Sequence, residues 1–223
     1  MTPRTVRCWF CTLLTALCTG CGGGGDAPTP PAPQTRVVEF YGDSLTFGSV
    51  EGPAGELTRL SVPPVRRAQE LLGDSAMCVD LSLPGATVAD ALSGVAMMPF
   101  GPFAGHVRTS QAGVLVIRYG GADAIRGTPL ADFERDLEAM VSLAKKNHKQ
   151  VLLVGVIATA TGVTDDFDLA VERVADAHGV GFVDVRAVPV VFPNDLADAV
   201  HPAQPWSDRI TAAIVRHLQH QKT

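Results

Sequence analysis

Charge is scarce in this chain of 223 residues: 18% are charged against 46% hydrophobic, the net charge is −5, and no lysine- or arginine-rich run interrupts it. A phosphate backbone would find nothing to hold, which argues against nucleic acid as a partner. Cysteine is scarce where a fold would use it. Of five cysteines, Cys8, Cys11, Cys18 and Cys21 crowd the beginning of the chain and only Cys78 remains beyond them, so the pattern does not imply a disulfide framework. Cys78 lies in the mostly apolar run from Ala76 to Leu83 and reads as a small core hydrophobe.

Cofactor signatures are also missing. Gly42, Gly48 and Gly52 are spaced by six and four residues, not by the two and three of a dinucleotide loop, and Gly22 to Gly25 lacks the Gly-Lys-Ser/Thr ending of a phosphate loop. His106 and His148 have no ligand set near them in sequence, while His178, His217 and His220 fall at or near expected helix C-termini, where a cationic side chain is favoured without a metal. Neither a metal nor an organic cofactor is expected. No internal repeat is present.

What the chain does have is a leader, a tether and one domain. Arg4 and Arg7 precede an apolar stretch from Cys8 to Cys18, too short to span a bilayer, followed by the small residues Thr19-Gly20-Cys21. Residues 1–21 read as an export signal, and Leu17-Cys18-Thr19-Gly20-Cys21 resembles a bacterial lipoprotein box in which Cys21 would carry the lipid. The box departs from the usual pattern at Cys18, where leucine is preferred, so plain secretion with cleavage near Gly20 to Gly25 stays open. Residues 22–35, four glycines and then four prolines among small polar residues, cannot bury a core and read as a linker.

From residue 36 to the end, apolar strand-like runs alternate with helical patterns, the signature of a parallel sheet covered by helices. Strands are expected at 36–41, 77–82, 113–119, 149–156 and 180–185, and helices at 64–72, 87–93, 130–147, 166–178 and 206–219. The helix at 130–147 has the clearest periodicity, with Leu130, Phe133, Leu137, Met140 and Val141 near helical spacing. Asp165, Asp166 and Asp168 are taken as capping the next helix. The fold class is α/β, a three-layer α/β/α sandwich.

Two segments carry the chemistry. In Val37-Val38-Glu39-Phe40-Tyr41-Gly42-Asp43-Ser44-Leu45, a strand breaks at a glycine and delivers an Asp-Ser pair to a helix start, placing the Ser44 hydroxyl at a strand's carboxyl end. A capping serine would look the same on this segment alone. Far along the chain, Asp198-Ala199-Val200-His201-Pro202 sets an aspartate three residues ahead of a histidine, close enough in a turn to fix the imidazole tautomer.

Together these motifs resemble the SGNH, or GDSL-type, esterases and lipases, whose first block reads Gly-Asp-Ser-Leu and whose last reads Asp-x-x-His. The resemblance implies a flavodoxin-like five-stranded parallel sheet of order 2-1-3-4-5, with Ser44, His201 and Asp198 as catalytic triad. It further implies an oxyanion hole formed by the Ser44 amide, the Gly85 amide in Leu83-Pro84-Gly85-Ala86, and an asparagine of a Gly-x-Asn-Asp block. Here that block is Gly120-Gly121-Ala122-Asp123, and Ala122 stands where the asparagine belongs. One lost donor of this kind costs roughly 10²–10³ in turnover, so a weakened enzyme is expected. The spacing Gly120-Gly121-x-Asp123-x-x-Arg126-Gly127 also looks like the exported bacterial thioesterase, lysophospholipase and arylesterase branch.

Asp43, Asp123 and Arg118 are expected behind these residues. Arg118 interrupts an apolar strand, so it must be paired or point into a cleft, either supporting the site or facing substrate. Phe100-Gly101-Pro102-Phe103-Ala104-Gly105-His106 and Phe192-Pro193 are candidate walls of an acyl pocket. The expected partner is a small-molecule, lipid or glycan ester, with membrane contact only through the lipid anchor. Two other readings keep the fold: a surface binding protein whose active site has decayed, and a transferase that passes the acyl group to a glycan.

Overall fold

The computed structural model describes residues 35–52, 54–95, 98–157 and 162–220. The leader with Cys21 and the linker up to residue 34 lie outside the described residues. Among the described residues seven strands and eight α-helices follow one another: β1 (Arg36–Gly42), α1 (Ser44–Phe47), β2 (Ser49–Glu51), β3 (Leu57–Arg59), α2 (Pro64–Leu72), β4 (Ala76–Asp80), α3 (Val88–Ser93), α4 (Phe103–Thr109), β5 (Val114–Arg118), α5 (Gly121–Ile125), α6 (Leu130–Lys146), β6 (Gln150–Val154), α7 (Asp165–His178), β7 (Gly181–Val183) and α8 (Gln204–His220).

Five strands form one parallel sheet in the order β4-β1-β5-β6-β7. Counted among themselves these strands run 2-1-3-4-5, as the resemblance implies. The count over the whole chain is offset because the antiparallel hairpin β2–β3 intervenes. β5 sits in the middle and all five of its residues are buried, which is why it reads as a near-continuous apolar run. The α2 and α8 helices pack together, while α6 packs against α3, α4 and α7. These two groups are the outer layers of the sandwich. Helix α6 buries Phe133, Leu137, Met140, Val141 and Ala144, one stripe at helical spacing.

The hairpin and the helix α4 were not expected from the sequence. Three-residue strands are too short to show alternation, and Phe103 and Val107 are buried parts of α4 rather than loop. Asp168 also differs from its expected role. Thr164 occupies the N-cap of α7, while Asp168 is buried, accepting the Val156 amide at 2.8 Å and pairing with Arg186 Nε at 3.0 Å.

Cys78 packs against the core, and burial pushes its thiol up to about 11, which favours the protonated form. His106 pairs with Glu39 at 3.3 Å, and Glu39 also accepts from Tyr41 and Ser110. No cluster of three or more metal-ligating side chains occurs among the described residues. Nor is any described helix long and apolar enough to cross a membrane.

Candidate active site

Because all five strands are parallel, the loops after β1, β4 and β5 emerge at the same edge of the sheet. β1 lies between β4 and β5, so the chain leaves it in opposite directions, and a crevice opens at such a point. The loop after β1 turns within one residue at Gly42. A Cβ there would fall 2.1 Å from Thr46 Oγ1 and 2.4 Å from the Arg118 carbonyl oxygen, so no larger residue fits. Asp43 then caps α1, its Oδ1 accepting the Leu45 amide at 2.9 Å, and Ser44 becomes the first residue of the helix.

Ser44 meets the late segment directly. His201 Nε2 lies 3.0 Å from Ser44 Oγ, and His201 Nδ1 lies 2.8 Å from Asp198 Oδ2. An ionised carboxylate only accepts, so Nδ1 carries the proton and Nε2 is left with a lone pair facing the hydroxyl. Asp198 is fixed in turn by backbone donors: Val200 and His201 amides at 2.8 Å each to Oδ1, and the Glu51 amide at 3.0 Å to Oδ2. Burial pushes the Asp198 carboxyl up, but these amides and the imidazole outweigh it and hold the group below the usual carboxylate range. Glu51 belongs to β2, so the unexpected hairpin supports the aspartate. Gly52 and Gly55, between its two strands, are the sequence signal for it.

A cleft of about 250 Å³ opens at Ser44 and His201, walled by Leu57, Pro84 and Ile125 and floored by Gly85 and Ala122, with Arg126 at its edge. The amides of Ser44 and Gly85 donate to no protein acceptor among the described residues. Gly85 has φ +75°, a left-handed conformation that suits glycine. Ala122 is buried, and its own amide donates to Asp43 Oδ2 at 3.0 Å. From Ala122 the cleft receives neither a side-chain donor nor a free backbone one.

Two carboxylates sit behind the cleft and tie its loops together. Asp43 is fully buried and joins the loop after β1 to α5; burial raises its pKa, opposed by the Ala122 and Leu45 amides and by Arg118. Asp123 joins α5 to the start of α3 by accepting the Val88 amide at 3.3 Å. Burial, reinforced by Asp43 and Asp90, pushes Asp123 up to about 7 against the pull of the Val88 amide.

Of the two positions expected for Arg118, supporting the site and facing substrate, it does not take the second: it is buried beneath the cleft, with Nη1 donating to the Leu45 carbonyl at 3.3 Å, and burial brings its guanidinium down to about 10. A strand residue's side chain points into one of the two covered faces of a central strand, which is where Arg118 went. Phe100 and Phe103 do not wall the cleft either; their rings pack edge-on against Tyr41, at 5.1 and 5.3 Å between centroids. Phe192 is exposed and lies outside the cleft lining. The apolar walls come instead from Leu57 and Ile125, which loop position alone does not reveal.

Residues 40–209 match the GDSL-like Lipase/Acylhydrolase family. Curated protein sequences give no match. Among solved structures, the fold is similar to that of a carbohydrate acetylesterase, Est24, from Sinorhizobium meliloti, at 16% identity and a TM-score of 0.67 over 83% of this chain and 99% of that one. It is similar also to the aryl esterase of M. smegmatis, at 16% identity and a TM-score of 0.69 over 83% and 99%. The acetylxylan esterase Axe2 from Geobacillus stearothermophilus gives 20% identity and a TM-score of 0.65 over 83% and 95%. With the Gly-Asp-Ser-Leu block at the sheet edge and a family match spanning most of the sequence, the chain belongs to the GDSL-like lipase/acylhydrolase family and is an ester-hydrolysing enzyme.

Proposed function

We propose that this enzyme hydrolyses carboxylic esters, and thioesters by the same route, through an acyl-enzyme on Ser44. The reading rests on one observation above the others: the unbroken series Ser44 Oγ, His201 Nε2, His201 Nδ1, Asp198 Oδ2, with contacts of 3.0 and 2.8 Å at its two ends. Ser44 Oγ attacks the carbonyl carbon as its proton passes to His201 Nε2, and the carbonyl π pair moves onto oxygen. Collapse of that tetrahedral species breaks the bond to the leaving group, which takes the proton back from His201. Water then repeats the sequence and releases the acid.

Asp198 stays ionised and stabilises the imidazolium formed in each half. The Ser44 and Gly85 amides face the oxyanion, a two-donor arrangement in place of three. Removal of one donor typically costs roughly 10²–10³ in turnover, so slow but real catalysis is the expectation. A fluorophosphonate probe tests this reading: it should label the protein at Ser44 and abolish ester hydrolysis in proportion. The enzyme acts after export, held to a membrane by lipid on Cys21, a reading supported by the leader sequence alone.

A further inference from the structure

A second cleft, about 370 Å³ in volume, adjoins the one at Ser44; it shares Pro84, Gly85 and Arg126 with the first and adds Asp90 and Val95 to its walls. Gly85 is the sill between the two. A Cβ built on it would meet only Arg126 Nη2, at 4.0 Å, so the space above the glycine is open as far as the guanidinium edge. A substrate whose carbonyl oxygen rests on the Gly85 amide can extend across that sill.

The polar groups beyond the sill are a matched pair. Arg126 Nη1 donates to Asp90 Oδ2 at 2.9 Å, and the same oxygen accepts the Thr87 amide at 3.0 Å. Asp90 Oδ1, Arg126 Nε and Arg126 Nη2 make no hydrogen bond among the described residues. The side chains are 55% exposed for Arg126 and 22% for Asp90. At this exposure, opposite charges in contact cancel beyond their immediate surroundings. What remains is directional, a donor edge beside an acceptor oxygen.

That pattern selects among ligands. A hydroxyl both donates and accepts and fits the pair. A carboxylate would gain the guanidinium but meet the Asp90 charge. An alkyl chain would strip water from both groups and return no hydrogen bond.

We propose that this second cleft is a subsite for an uncharged, hydroxylated alcohol portion of the ester, of the glycosyl or polyol class, with the Arg126–Asp90 pair as its specificity determinant. The alcohol side is assigned because a polyol ester carries its free hydroxyls there. The proposal rests on the hydrolase reading above.

The test compares kcat/KM for methyl 6-O-acetylglucoside, butyl acetate and acetoxyacetate in the full-length wild type, Arg126→Met and Arg126→Lys. The wild type should prefer the sugar ester to butyl acetate by about tenfold or more, the scale of one charge-assisted hydrogen bond. Arg126→Met should bring that ratio close to one, chiefly through a raised KM for the sugar ester, and Arg126→Lys should keep part of it. A wild-type ratio at or below one, a preference for acetoxyacetate, or an equal fall in kcat on all three esters in Arg126→Met would each overturn the subsite. Turnover of butyl acetate with no sugar preference removes the subsite alone. Absence of turnover on every ester, with Ser44 unlabelled by fluorophosphonate, removes the hydrolase reading and the subsite with it.

Discussion

The Asp43 carboxylate accepts the Ala122 amide at 3.0 Å, so the residue that lacks a side-chain donor has also committed its backbone donor. The two facts bear on one another. With the amide occupied by a buried aspartate, a third oxyanion donor at this position must come from a side chain.

Ala122→Asn should therefore raise kcat on an activated ester, with an upper bound of about 10²–10³-fold. The gain belongs in kcat because the oxygen acquires its charge in the transition state. Steady-state kinetics with active-site titration checks it. An unchanged or lower kcat in a folded variant would mean that Ala122 does not occupy the donor position.

Asp198→Asn should lower kcat by up to about 10⁴-fold while keeping the turn, because an amide oxygen still accepts from Val200 and His201 but the amide nitrogen donates to Nδ1 and turns the wrong tautomer toward Ser44. The same substitution gives up the bond from the Glu51 amide. Pre-steady-state acylation rates would isolate the loss in the first half-reaction.

Asp123 supplies a pH signature. Its folded pKa, about 7, lies above the ordinary carboxyl value near 4, so the folded state binds more protons than the unfolded one between those limits. Stability should fall as pH rises through that window, with the full penalty present above about pH 7 and none below about pH 4. Thermal melting of the wild type and Asp123→Asn from pH 4 to 8 should show the variant gaining relative to wild type as pH increases. A difference independent of pH would refute the raised pKa.

Cys21→Ser should release the protein from membranes without changing kcat/KM. Fractionation and mass spectrometry of the mature N-terminus read this out. A soluble, unlipidated wild type would replace the anchor with plain secretion.

Much of the fold could be read from the chain because a parallel sheet buries both faces of its strands, and runs such as Val114 to Ile117 therefore announce themselves. Helix α6 did so through its periodic stripe. The hairpin did not, since three residues carry no measurable alternation, and its use in holding Asp198 through the Glu51 amide is a long-range backbone contact. Ser44, Asp198 and His201 could be singled out because their order and spacing are chemically specific. The cleft walls, Leu57 in β3 and Ile125 in α5, were silent: an exposed apolar residue in a short element looks like any other until folding sets it beside a nucleophile.

The central claim is that Ser44 is the nucleophile activated by His201. Its most direct measurement is the mass of the intact protein after brief exposure to fluorophosphonate, for wild type, Ser44→Ala and His201→Ala, each paired with kcat on one activated ester. The account predicts a single adduct on the Ser44 peptide of the wild type, none on Ser44→Ala, greatly slowed labelling of His201→Ala, and loss of turnover in both variants with the fold retained, since Asp43 and not Ser44 caps α1 and the Ser44 hydroxyl meets His201 rather than the helix backbone. Full hydrolysis by folded Ser44→Ala, or an adduct on another residue accompanying inactivation, would contradict it.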